Sequence, residues 1–172
     1  RVLFRSEAAV MKGWVESRFG LLARYHKGQL YEDIESDAVT SHYAPYLQSR
    51  ARGLYATNAL ESQLDLLYSY CQYELTRKYP ARKLLRLYRG TNSLREYEVL
   101  EQTDPQYAVL LLNNLNSFTH NSERAGEFGD LIMEVDACWQ KVLFYSGLMP
   151  GFLVGEEEVI LTGGVYAVTI TK

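Results

Sequence analysis

Between residues 60 and 75, apolar side chains recur every three or four positions, at Leu60, Leu64, Leu67, Tyr68, Cys71 and Leu75, until Pro80 ends the run. That period lays one apolar stripe along a helix, so it predicts the best-defined helix of the chain. A shorter version of the pattern lies near the start. Val10, Trp14 and Val15 share a helical face over residues 7–19, and Gly20 stands where a helix can close in the left-handed conformation. Residues 29–43 carry little periodicity and read as a loop or short helix before Pro45, after which a short helix is expected to reach residue 52.

Beyond Pro80 the character changes. Residues 84–88, 108–112, 129–135, 141–145, 158–161 and 165–171 are short runs rich in branched and aromatic residues, the composition of strands. Turn signals separate them, at Arg89-Gly90-Thr91-Asn92, Asp104-Pro105, Asn113-Asn114, Ser146-Gly147, Pro150-Gly151 and Gly163-Gly164. Residues 122–128 read as one helical turn with Ser122 as its cap. Helices first and strands second predict an α+β fold, with a helical part over residues 7–80 and a β-rich part over 81–172 of a single domain.

Composition narrows the function classes. A chain of 172 residues with 47% apolar content can build one real core. Its net charge of −3 supplies no broad cationic field, which argues against a nucleic-acid partner. The basic residues Arg77, Lys78, Arg82, Lys83 and Arg86 flank Pro80 and read as the solvated surroundings of a linker. Cys71 and Cys138 are far apart and outside any CxxC, which argues against a disulfide framework or a zinc site and fits a reducing cytoplasm. The longest apolar run, 108–112, is far short of the roughly twenty residues of a membrane span. The opening RVLFRS reads as a non-native remnant, so the fold is taken to start at Glu7, and a natural continuation upstream is expected.

Candidate chemistry lies at strand ends. Glu156, Glu157 and Glu158 run directly into Val159-Ile160-Leu161. If extended geometry covers all three, Glu156 and Glu158 share a face about 6 to 7 Å apart and Glu157 points the other way. Two carboxylates in one cleft suit chemistry in which a sugar carbon becomes cationic, one stabilising charge while the other handles a proton. The competing reading is a solvated acidic loop. Arg89, closing a strand and followed by Gly90, offers a bidentate phosphate contact beside a backbone that a ligand can approach. Otherwise Arg89 is an edge residue in a surface ion pair. The run Asn116-Ser117-Phe118-Thr119-His120-Asn121-Ser122 gathers small polar side chains able to orient a carboxylate, or else forms an ordinary polar turn. Phe152, in a loop rich in glycine and proline, faces a substrate or anchors the loop.

The order LYRG, SFTHNS, EEEVIL resembles the arginine, serine, glutamate signature of the ADP-ribosyltransferases. More specifically, KGWVESRFGL, LYRGTN, NSFTHNSERAGEFGD and FYSGLMPGFLVGEEEVILTGG, spread over most of the chain, are similar to the bacterial dinitrogenase reductase ADP-ribosyltransferases. The resemblance implies a mostly antiparallel, two-sheet β core around an NAD cleft. It implies transfer of ADP-ribose from NAD to an arginine of the nitrogenase iron protein, with no metal required and with PII signalling proteins as regulators. Glu158 would be the catalytic glutamate, contacting the ribose 2′-hydroxyl and supporting charge at C1′. Glu156 would position the acceptor guanidinium, and Phe152 would belong to the acceptor-recognition turns. Arg89 with Gly90 would meet the NAD phosphates, and Ser117, Thr119 and His120 would line the NAD pocket. Many relatives have a Ser-Thr-Ser sequence where this chain reads Phe118-Thr119-His120-Asn121-Ser122, so Ser117, Thr119 and Ser122 all stay open as the hydroxyl that orients Glu158. A transferase with another protein target, or a silent NAD- or protein-binding module, are the alternatives.

Overall fold

A computed structural model describes residues 5–21, 48, 50–51, 58–81, 83–150 and 157–171. The helix α1 spans Arg5–Phe19 and closes on Gly20, whose φ of +66° lets its amide reach back to the Glu16 carbonyl at 3.1 Å. The longer α2, Asn58–Lys78, stops just before Pro80. Both helices are as the periodicity predicts. Residues 48, 50 and 51 are helical, as expected, while residues 29–43 lie outside the described residues.

Trp14 explains how the helices attach. Its indole donates to Asp65 of α2 at 2.8 Å, while its ring stacks on Phe144 with centroids 6.2 Å apart. Arg18 reaches the same carboxylate through two nitrogens, at 2.7 and 2.9 Å. Nearby, Gln72 donates to the carbonyls of Trp139 and Val142, so α2 covers the start of a strand whose backbone would otherwise be bare. Cys71 is fully buried in this layer, and burial pushes its thiol up to about 12, leaving it unreactive.

Six strands follow: β1 Leu84–Thr91, β2 Glu98–Asp104, β3 Tyr107–Thr119, β4 Leu131–Cys138, β5 Val142–Tyr145 and β6 Glu158–Thr171. A short helix, α3 at Ser122–Gly126, joins β3 to β4. All pairings are antiparallel in a single sheet of order β2-β3-β1-β4-β6-β5, and β3 also pairs with β6. The extra pairing closes β3, β1, β4 and β6 into a circuit. Its long sides are the β1–β4 and β3–β6 ladders; it closes through Tyr88 opposite Thr119 at one end and residues 132–134 opposite 169–171 at the other. The α+β class holds. The two separate sheets expected are instead one six-stranded sheet, because β1 and β4 are hydrogen-bonded to β3 and β6 at the ends of the two ladders, and Leu87, Val135, Leu110 and Val168 are buried in one core.

Three expected turns lie inside strands. Arg89-Gly90-Thr91 forms the last three residues of β1. Asn113-Asn114 falls within β3 and Gly163-Gly164 within β6, where the register shifts between Leu112 and Leu115. These irregularities face each other: a Cβ on Gly163 would come 2.0 Å from the Asn113 carbonyl oxygen, so only glycine lets the strands approach. The bulge has a purpose in packing. It turns the Asn114 amide toward α1, where it donates to the carbonyls of Lys12 at 3.0 Å and Leu21 at 3.2 Å. β2 was not anticipated, because nearly every position on this edge strand is exposed and no alternation marks it. The cap of α3 is Asn121, not Ser122, since the Asn121 side chain accepts from the amides of Glu123 and Arg124.

Candidate active site

Three strands meet at one rung. Thr119, the last residue of β3, lies opposite Tyr88 of β1 on one side and opposite Glu158, the first residue of β6, on the other. Directly opposed residues of antiparallel strands project to the same face with Cβ atoms about 5 Å apart, so Thr119 and Glu158 stand side by side across the β3–β6 ladder. Thr119 Oγ1 accepts from the Asn121 amide at 3.1 Å, which leaves its own proton to donate. Of the three hydroxyls left open by the sequence, Ser117 is opposed by Ile160 and Ser122 lies on α3; the register puts Thr119 beside Glu158. The Glu158 carbonyl accepts from the Ser146 amide at 2.7 Å, which ties the chain leaving β5 to the start of β6.

Arg89 is the neighbour of Tyr88 on β1, and its half-buried guanidinium is locked in place. Nε donates to the Tyr97 hydroxyl at 3.1 Å and Nη1 to the Ser117 carbonyl at 3.0 Å, with the guanidinium carbon 6.0 Å from the ring centres of both Tyr97 and Phe118. Arg89 is thus joined to β3 two residues before Thr119, and its remaining N–H groups extend beyond these two bonds. Among the described residues Arg89 has no ion-pair partner, whereas Arg86 meets Asp136 at 3.1 Å and Glu134 at 3.3 Å. No spacing in the sequence pointed to Tyr97. It follows a short 3-10 turn at Leu94–Glu96, capped by the Ser93 side chain, and only the fold carries it to Arg89.

Gly90 has a packing role that its sequence context concealed. A Cβ there would lie 2.0 Å from the Ala125 carbonyl oxygen, so glycine lets α3 sit directly on β1. On the next turn, Gly129 packs in the same way against the Thr91 backbone.

His120 and Glu157 flank the rung. Partial shielding lowers the His120 imidazole below its ordinary value, opposed by the Glu157 carboxylate and by a hydrogen bond to the Arg86 backbone. Glu157 has φ +46°, in the left-handed region, so the strand alternation assumed for Glu156 to Glu158 stops at this residue. A non-glycine residue there costs about 1 to 2 kcal/mol. Glu156 and Phe152 lie outside the described residues.

A cavity of about 350 Å³ opens elsewhere, in the fork where β6 leaves β4. Arg86, Glu134, Asp136, Lys141 and Tyr166 are among the residues lining it, and none of the predicted site residues is. Lys141 closes part of this fork, its Nζ 3.8 Å from the centre of the Tyr166 ring and donating to the Val165 carbonyl at 3.1 Å. Among the described residues, no three histidine, cysteine or acidic side chains converge on a metal-sized position, and no helix is long and apolar enough to cross a membrane.

Residues 5–170 match the family described as dinitrogenase reductase ADP-ribosyltransferase (DRAT). The chain belongs to this family. Within the DRAT family it is 36% identical, over 164 residues, to a Rhodospirillum rubrum protein named NAD(+)--dinitrogen-reductase ADP-D-ribosyltransferase. That similarity covers 94% of this chain and 58% of the relative, so the chain spans less than two thirds of the curated DRAT protein's length. No solved structure matches the chain.

Proposed function

We propose that this chain is an NAD-dependent mono-ADP-ribosyltransferase that moves ADP-ribose to an arginine of the nitrogenase iron protein and so switches nitrogen fixation off. The observation that carries the reading is the shared rung of Tyr88, Thr119 and Glu158, with Arg89 bonded two residues away at Ser117. The residue types fit a dinucleotide. Arg89, held by Tyr97 and Ser117, presents a preorganised cation to a pyrophosphate, and Thr119, opposite Glu158 on the ladder, is the hydroxyl assigned to orient that carboxylate toward a ribose.

Breaking the bond to nicotinamide, a leaving group that already carries positive charge, needs no strong acid. A fixed carboxylate that stabilises charge developing at C1′ and accurate placement of the acceptor suffice. In this reading Glu158 supplies the anion and Glu156 receives the acceptor guanidinium, with Phe152 contributing to acceptor recognition and His120 bordering the NAD pocket. The residues named need no metal, and the setting is cytoplasmic with PII proteins as regulators.

Mass spectrometry of nitrogenase iron protein incubated with this chain and NAD tests the proposal. One ADP-ribose on an arginine is the expected product. Nicotinamide release without modification of the iron protein would point to another acceptor, and NAD binding without nicotinamide release would leave a silent binding module.

A further inference from the structure

Glu157 is the described non-glycine residue with a left-handed backbone, and it immediately precedes Glu158. Glu158 itself is held on both sides, paired with Thr119 across the β3–β6 ladder and accepting through its carbonyl from the Ser146 amide at 2.7 Å.

We propose that Glu157 is a positioning residue for Glu158: its left-handed backbone sets the direction in which β6 begins and so fixes where the Glu158 carboxylate stands against Thr119. The inference rests on the transferase reading only for what Glu158 does, and it gives a role to a residue that the sequence pattern simply pointed away from the pair.

Substitutions at one position separate the backbone from the charge. Glycine and asparagine accept the left-handed conformation, whereas a β-branched residue resists it. Glu157→Gly and Glu157→Asn should keep the turnover number for nicotinamide release within about threefold of the parent, while Glu157→Val should lose about tenfold. The KM for NAD of Glu157→Val should stay near the parent value, because Arg89 is untouched, and its melting temperature should fall by only a few degrees, the strain of a β-branched residue in the left-handed region. Equal turnover in the valine and glycine variants would overturn the backbone role.

The geometry is also read without activity, from amide chemical shifts across the ladder. Glu157→Val should move the Phe118 and Thr119 amide resonances, while Glu157→Gly leaves them near their parent positions; unmoved resonances in the valine variant would overturn the backbone role. If the parent chain releases no nicotinamide at all, the transferase reading fails, and these shifts still decide whether Glu157 sets the start of β6.

Discussion

The β1–β4 and β3–β6 ladders have different characters. β1 and β4 pair over all eight residues of each strand without a register shift, with apolar side chains inward and the Arg86–Glu134–Asp136 cluster outward. β3 and β6 are longer, shift register at the bulge, and bury Asn114, Asn116, Thr119 and Thr162. The regular ladder is the frame. The irregular one spends its exceptions at two places, a bulge that holds α1 through Asn114 and an end that sets Thr119 beside Glu158, with the left-handed Glu157 at its threshold. Departures from strand geometry thus mark where this sheet does something other than cover a core.

Substitutions in the irregular ladder should separate activity from stability. The largest expected effect is Glu158→Gln, which removes the charge but keeps the shape and should lower nicotinamide release by about 100- to 1,000-fold with little change in melting temperature. Loss of less than tenfold would take the catalytic role away from Glu158. Gly163→Ala should do the opposite. Its methyl group meets the Asn113 carbonyl, and a loss of about 3 kcal/mol in denaturant unfolding is expected. An unaffected midpoint would mean that the bulge yields freely.

Arg89→Ala should weaken NAD binding by roughly 10- to 30-fold, the worth of charge-assisted hydrogen bonds to phosphate, with a smaller effect on turnover. Binding at the parent level would place the pyrophosphate elsewhere. The smallest effect belongs to the regular ladder. Arg86 holds the Asp136 carboxyl below its ordinary value, chiefly through the side-chain hydrogen bond. Because the folded value is depressed, the pair adds stability above the ordinary aspartate range near pH 4 and loses it as pH falls through the lowered value. With side chains 58% and 47% exposed, the whole effect should stay below about 1 kcal/mol, and Arg86→Ala should flatten acid unfolding by no more than that.

These contrasts also separate what was legible in the sequence from what was not. α2 could be read because one face is buried at helical spacing, and β1 because Leu85 and Leu87 alternate with exposed neighbours. β2 could not, since an exposed edge has no inward face to leave a period. Asn113-Asn114 and Gly163-Gly164 carry turn chemistry, but each bulge is set by the partner strand fifty residues away. At the site, Arg89 and Glu158 stood out as charged residues at strand ends. Thr119 was separated from Ser117 and Ser122 only by register, and Tyr97 reached Arg89 only through the fold.

Amide chemical shifts recorded while NAD is added test the central claim most directly. The account expects the changes to concentrate on residues 88–91, 117–120 and 157–159, the three segments that meet at the rung. Changes confined to the fork around Lys141 and Tyr166, or spread without regard to the rung, would contradict it.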